Sequence, residues 1–298
     1  MRGAAIRSSD KGNLAMGKNR GRRVLLALCV SLLAAGTAWG QEEQPAPKID
    51  PKADEVMHRL SDFYGGLQSL AFAVTVTMRV ETEGMKQEMT TTQAIALRRP
   101  DRLAIRLVKG MMGATLVCDG QSVYTHLPFM KKYKVKKAPG ALDALFQQPE
   151  ALFVLGSTRS RLPLSTLLTS KPYQMLMEGV TAGDYVGMDE IEGAQYHHLK
   201  FYQEEIDWEI WVQAGEQPLV HKIVPDLSRQ LAQARQITPD MGEMKMETTV
   251  RFENWAVNPD LPDALFVFTP PADAEKVESL FGEVEVEEAP APEEKKAP

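Results

Sequence analysis

Cysteine is almost absent from this chain of 298 residues, which has two, Cys29 and Cys118. Cys29 falls in an amino-terminal export segment described below, so Cys118 is left alone and cannot form an intramolecular disulfide, even in an oxidising compartment. Stability has to come from burial. The chain also lacks the Gly-x-Ser-x-Gly elbow of hydrolases, the His-Glu-x-x-His pair of zinc proteases and a glycine loop that could cradle phosphate. Enzyme activity therefore has no positive support, and neither a cofactor nor a metal is expected. Positive charge is in deficit, with 34 Lys and Arg against 40 Asp and Glu. Residues 1–40 hold seven of the basic and one of the acidic residues, so without them the formal charge falls from −6 to −12. Such a surface is repelled by nucleic acid and by anionic membrane, so neither nucleic-acid binding nor stable membrane insertion is expected.

The first signal present is one of targeting. A basic run through Lys18, Arg20, Arg22 and Arg23 precedes an apolar stretch from Val24 to Ala35 and the small-x-small site Ala38-Trp39-Gly40. These are the three parts of a cleaved signal peptide over residues 1–40. Met16 is a second candidate start, since Met16 to Gly40 alone has ordinary signal proportions. Cys29 lies within the apolar run and follows Leu28 instead of a small residue, which argues against lipidation. The Arg22-Arg23 pair is common in basic leaders, and general secretion fits better than twin-arginine export. Residues 41–49 read as a linker and 283–298, rich in Glu, Pro, Ala and Lys, as a disordered acidic tail. Residues 50–282 are left as a single domain, long enough for one sizeable core.

Asp50-Pro51 opens a helix in which Ala53, Val56, Met57, Leu60, Phe63, Tyr64 and Leu67 recur at three and four, until Gly65-Gly66 ends it. The period then changes to two. Leu70, Phe72, Val74, Val76, Met78 and Val80 point one way while Ala71, Ala73, Thr75, Thr77 and Arg79 point the other, as in a long half-buried strand. Further strands are expected near 86–97, 102–109, 114–118, 122–127 and 130–136, with Asp119-Gly120 as a hairpin turn. Between Pro139 and Gly179 apolar clusters alternate with prolines, the mark of short helices. Period two returns near 194–203, 206–213, 218–224 and 244–256. No internal repeat stands out.

The architecture that fits is α+β: a large, curved antiparallel sheet of about ten strands, an unclosed half-barrel, with an amino-terminal helix and a central helical lid covering the concave face. A gap between lid and sheet would be an apolar pocket.

Several segments in order strengthen that picture: Leu67 to Met78, then Arg98-Arg99-Pro100, then Cys118-Asp119-Gly120-Gln121-Ser122-Val123-Tyr124 with Pro128, then Phe266 to Pro271. They resemble the LolA/LolB-like periplasmic lipoprotein-carrier superfamily: its first strand, its basic-basic-Pro step, its Asp-Gly hairpin and its closing Phe-x-Phe-x-Pro-Pro strand. An uncharacterised family of predicted periplasmic proteins with that fold resembles the chain more nearly than the carriers do. The resemblance implies a periplasmic location and a binding protein that holds a lipid, an acyl chain or an acylated lipoprotein. The expected lining is Phe72, Val74, Val76, Ile95, Leu103, Ile105, Leu145, Phe146, Leu167 and Leu168. It also implies that Arg99 helps to hold the lid closed, guanidinium donors being suited to the carbonyl ends of lid helices; the plainer reading is a solvated strand-end charge. The alternative function is a regulatory or adaptor module that binds a segment of an envelope protein.

Other residues have plain readings beside sharper ones. Asp207 and Glu209 share a strand face, as paired carboxylates or as a solvated outer face. His197 and His198 are adjacent, so a strand sends them to opposite faces and away from a shared metal. Cys118, before a turn, reads as a buried thiol more than a nucleophile. Lys131, Lys132, Lys134, Lys136 and Lys137 either meet a lipid head group or an acidic partner, or guard a solvated sheet edge against aggregation. The methionines, Met111, Met112, Met175 and Met177 among them, line an adaptable pocket or fill gaps in a core.

Overall fold

The computed structural model describes residues 46–110, 113–155, 164–237 and 243–280. The expected signal peptide, the first part of the linker, the acidic tail, and Met111 and Met112 lie outside the described residues.

Two strand meanders and a helical connection between them make up the architecture. After the short β1 (Lys48–Ile49), helix α1 (Pro51–Gly66) starts at Asp50, whose side chain accepts from the amides of Lys52 and Ala53, with Pro51 in the first turn. Its buried residues are Ala53, Val56, Met57, Leu60 and Tyr64, the expected stripe. The first meander is β2 (Ser69–Thr82), β3 (Met85–Arg98), β4 (Arg102–Lys109), β5 (Thr115–Asp119), β6 (Ser122–Leu127) and β7 (Lys132–Lys137). Four short helices follow among the described residues: α2 (Leu142–Phe146), α3 (Pro149–Val154), α4 (Leu164–Leu167) and α5 (Pro172–Leu176). The second meander is β8 (Val180–Ile191), β9 (Ala194–Gln203), β10 (Asp207–Gln213), β11 (Val220–Asp226) and, after helix α6 (Ser228–Ile237), β12 (Met244–Val257). A short β13 (Glu275–Lys276) comes last.

The thirteen strands among the described residues belong to one sheet, in the order β1-β8-β9-β10-β11-β12-β2-β3-β4-β5-β6-β7-β13. The meanders join where the 14-residue strands β2 and β12 pair, so the longest strands lie in the middle. The order does not return on itself, and the half-barrel stays open. One correction applies to the expected pairing: β1 on β8 and β13 on β7 are parallel, which makes the sheet mixed at its two edges.

Directly opposed residues share a face, and the register sets Phe72 beside Ile95, Ile95 beside Ile105 and Ile105 beside Leu116. Helices α1 to α5 bury this face in one continuous core. Each aliphatic side chain so buried contributes about 1.5–3 kcal/mol.

The expected closing strand at Phe266 to Pro271 is not a strand. Asp263–Phe266 forms a 3-10 turn, and Pro262, Pro270 and Pro271 have no amide to give to a ladder. This segment straps the convex face instead. Phe266 is buried there with Ala104, Val117 and Leu261, while Phe268 packs on Tyr124 and Tyr133. Arg98 donates to the Leu261 carbonyl and pairs with Asp263, and Arg106 donates to the carbonyls of Leu265 and Val267.

Candidate functional site

The expected lining residues come together. Phe72, Val74, Ile95, Leu103 and Ile105 from the sheet and Leu145, Phe146, Leu167 and Leu168 from the lid all belong to the same buried core, with Val76 half-buried at its margin. They meet directly. Leu103 and Ile105 are 0% exposed and Leu145, Phe146, Leu167 and Leu168 are 1% exposed, so no water-sized gap touches the first two. Open hollows of about 300 and 220 Å³ lie elsewhere, one among Arg79, Glu81, Lys86 and Glu247, the other beside His221 and Arg251. A ligand placed against Leu103 and Ile105 has to displace the side chains that cover them.

Polar side chains of the sheet fasten that lid. Arg99, half-buried after β3, donates from Nε to the Leu67 carbonyl at 3.0 Å and from Nη2 to the carbonyls of Leu168 and Thr169 at 3.3 and 3.0 Å. The latter two carbonyls follow α4, where a helix end has no intrahelical partner for them. Burial pulls the guanidinium pKa down, and Asp143 on α2 acts against that shift. Gln93 of β3, buried among apolar neighbours, donates to the Val154 carbonyl at the end of α3. Lys134 and Lys136 of β7 both reach Glu150 on α3, at 3.4 and 2.6 Å. Lid and α1 are joined as well: the Tyr173 amide donates to Ser61, its hydroxyl to Asp54, and its ring stacks on His58 at 3.8 Å.

Two of these groups were missed in sequence. Gln93 interrupts the apolar face of β3, and a polar residue at a core position is the signal that could have identified it. Glu150 follows Pro149 in a cluster of apolar residues and leaves no periodic trace. The lysines were read either as a contact for a lipid head group or acidic partner or as a guarded edge; Lys134 and Lys136 reach the lid side, and Lys131 pairs with Asp273 at 3.1 Å. At the other end of the face Trp255 stacks on Phe72 at 4.3 Å and packs near Tyr64 and Phe252, an aromatic group that sequence alternation did not single out.

The remaining candidates are occupied otherwise. Glu209 accepts from His198 Nε2 at 2.8 Å and lies 3.4 Å from Lys200, while Asp207 pairs with Arg229. His198 stacks on Trp211, whereas His197 meets Tyr185. The Cys118 thiol is buried, donates to the Asp101 carbonyl and has its pKa raised chiefly by burial. Among the described residues no group of three or more His, Cys, Asp or Glu is placed to hold a metal ion, and no helix is long and apolar enough to cross a membrane.

Fold and site together define a class: an α+β protein with an unclosed half-barrel whose apolar face is covered by helices. The chain belongs to the family described as "Predicted periplasmic protein (DUF2092)", whose model matches residues 53–280, and the protein is periplasmic. Among solved structures it is similar to an uncharacterised conserved protein from Thermus thermophilus, with 10% identity, a TM-score of 0.41, and 76% of this chain and 98% of that chain covered. A LolA superfamily protein from Nitrosomonas europaea is similar at 10% identity and a TM-score of 0.30, covering 72% and 97%. The MucA/MucB complex structure from Pseudomonas aeruginosa is similar at 12% identity and a TM-score of 0.30, covering 76% and 63%. A search of the curated proteins finds no match.

Proposed function

We propose that the protein is a periplasmic carrier that holds a lipid, an acyl chain or the acyl part of a lipoprotein between the sheet and helices α2 to α5. The observation that carries this reading is the fastening of the lid: Arg99 donates to the Leu168 and Thr169 carbonyls over a concave face that is apolar wherever it meets the lid's own leucines and phenylalanine. Binding is then an exchange of buried surface. The ligand's methylenes replace Leu145, Phe146, Leu167 and Leu168 against Ile95, Leu103 and Ile105, and Arg99 opposes the exchange until enough chain has entered. A sixteen-carbon chain leaving water contributes roughly 12 kcal/mol, at about 0.8 per methylene, and this is set against a few hydrogen bonds and whatever surface of the displaced lid side chains, about 1.5–3 kcal/mol each, is not buried again. No catalytic step is part of this function.

Native mass spectrometry with organic extraction, on protein purified from its own periplasm and on its Arg99→Leu variant, tests it. Bound lipid or acylated peptide whose occupancy changes with the substitution supports a gated carrier. Protein without any extractable chain in both forms refutes it.

A second reading, an adaptor for an envelope protein, is favoured by one observation. Along its outer side β8 pairs with β1 at Ala182 and Gly183, and farther on Val186 and Met188 are 53% and 43% exposed. An extended segment could add to that edge. Crosslinking in the periplasm that recovers one partner through β8, with no lipid extracted, would favour it over the carrier.

A further inference from the structure

The concave face changes character along its length. One row of directly opposed residues crosses six strands from β2 to β7: Phe72, Ile95, Ile105, Leu116, Thr125 and Lys134. The row beside it runs from Leu97 through Leu103, Cys118 and Val123 to Lys136. Five strand spacings make the first row about 24 Å long. Both rows are largely apolar until they end on a lysine.

In the closed structure both ammonium groups meet a single oxygen, Oε1 of Glu150. The Glu150 side chain is 12% exposed, and its other oxygen is buried without a hydrogen-bond partner, as is Oε1 of Gln148 in the same small hollow. Lys134, 20% exposed, and Lys136, 41% exposed, in a protein of negative net charge therefore have, as their shared counter-ion, a group borne by the lid. When α3 moves away, that counter-ion leaves with it. Two adjacent cations, Lys134 half-buried and Lys136 exposed, then lose their shared counter-ion, and an anionic group on the incoming molecule can take its place.

We propose that Lys134 and Lys136 are the head-group site of the carrier, taking the carboxylate or phosphate of an anionic amphiphile whose chain lies along the apolar rows, and that Glu150 fills this site in the closed state as a built-in competitor. The inference rests on the carrier reading and narrows its ligand to one class. Lysines at positions i and i+2 of a strand project to the same side. Their joint hold on Glu150 shows that both can reach one anionic group.

Palmitate, hexadecyl phosphate and hexadecanol have one chain length and different heads, and calorimetric titration of the full mature protein with each is the test. The wild type should bind one or both anions at least about tenfold more tightly than hexadecanol, the size of one lost charge-assisted hydrogen bond; which anion it prefers tells a carboxylate head from a phosphate. Lys134→Ala/Lys136→Ala should abolish that preference, bringing the affinities for the two anions within about threefold of that for hexadecanol measured on the same variant. Glu150→Gln, which keeps the lysines and the side-chain shape, should tighten binding of the preferred anion and serves if the double variant fails to fold. Equal binding of all three probes by the wild type, an anion preference that survives the double substitution, or unchanged anion affinity in a folded Glu150→Gln protein overturns the head-group site while the carrier stands. If none of the three binds, the carrier reading falls and this inference with it.

Discussion

Arg98 and Arg99 are neighbours in the chain and hold opposite faces of the sheet. Arg98 fastens the strap on the convex side, and Arg99 the lid on the concave side. Arg99→Leu removes the donors for three carbonyls, and leaving such groups unpaired costs about 1–3 kcal/mol. Urea unfolding should show a lower midpoint by that order with an unchanged slope. Arg99→Lys should recover little, because an ammonium cannot reproduce the guanidinium fork. Tyr64 is a second such case: its buried hydroxyl accepts from the Val220 amide, and burial keeps the phenol neutral by raising its pKa. Tyr64→Phe orphans that amide and should destabilise by about 1–3 kcal/mol in the same experiment. Gly120 turns the β5–β6 hairpin at φ +88°, and a Cβ there would sit 2.8 Å from the Asp101 carboxylate, so both conformation and space ask for glycine.

The lid helices have four to six residues each, too few to persist without their surroundings. Packing keeps them in place. Phe146→Ala should cost about 3–5 kcal/mol, and hydrogen exchange should rise first through α2 to α5 while β2 and β12 stay protected. Uniform loss of protection would show that lid and sheet unfold as one unit, contrary to a lid that opens. Elements with an undisturbed period were legible: α1 through its three-four stripe, β2 through strict alternation. β8 was not, because register shifts near Val180 and Tyr185 break its alternation and glycines replace side chains at 183 and 187. Helix α6 escaped for a different reason: none of its residues is buried, so no stripe exists to be read, and Arg229 and Arg235 tie it to neighbouring carbonyls. The strap was expected to be a strand only through its resemblance to the carriers' closing segment, and the missing amides of Pro270 and Pro271 keep it off a ladder.

Acid should loosen the closed protein through Glu150. Burial alone would raise its pKa, but Lys136, its own backbone amide and Lys134 together hold the carboxyl below the usual carboxylate range. A folded-state pKa below the unfolded one gives stability that is present above the unfolded pKa and is lost as pH falls through the folded value. Unfolding free energies at neutral pH and in acid should therefore differ more for the wild type than for Glu150→Gln. Equal acid sensitivity in the two would mean that the clamp adds nothing to stability. The same clamp ties distant parts of the molecule together, since the lysines come from the last strand of the first meander and the glutamate from the connection that leads to the second.

Alternation and helical period, which any chain expresses locally, were enough to predict a long curved sheet, a covering helix and a set of short helices, and many of the apolar residues that the core buries. These properties follow from side-chain order along a single strand or helix. The joining of the two meanders through β2 and β12, the parallel edges, the strap on the convex side and the meeting of Lys134 and Lys136 with Glu150 depend on which segments pair across the chain. Pairing is a matter of register between distant strands, and a single strand's pattern is compatible with many partners. The lid is legible as apolar clusters, but what holds it shut is a set of hydrogen bonds and ion pairs between residues far apart in sequence, and these exist only once the sheet has brought them within reach.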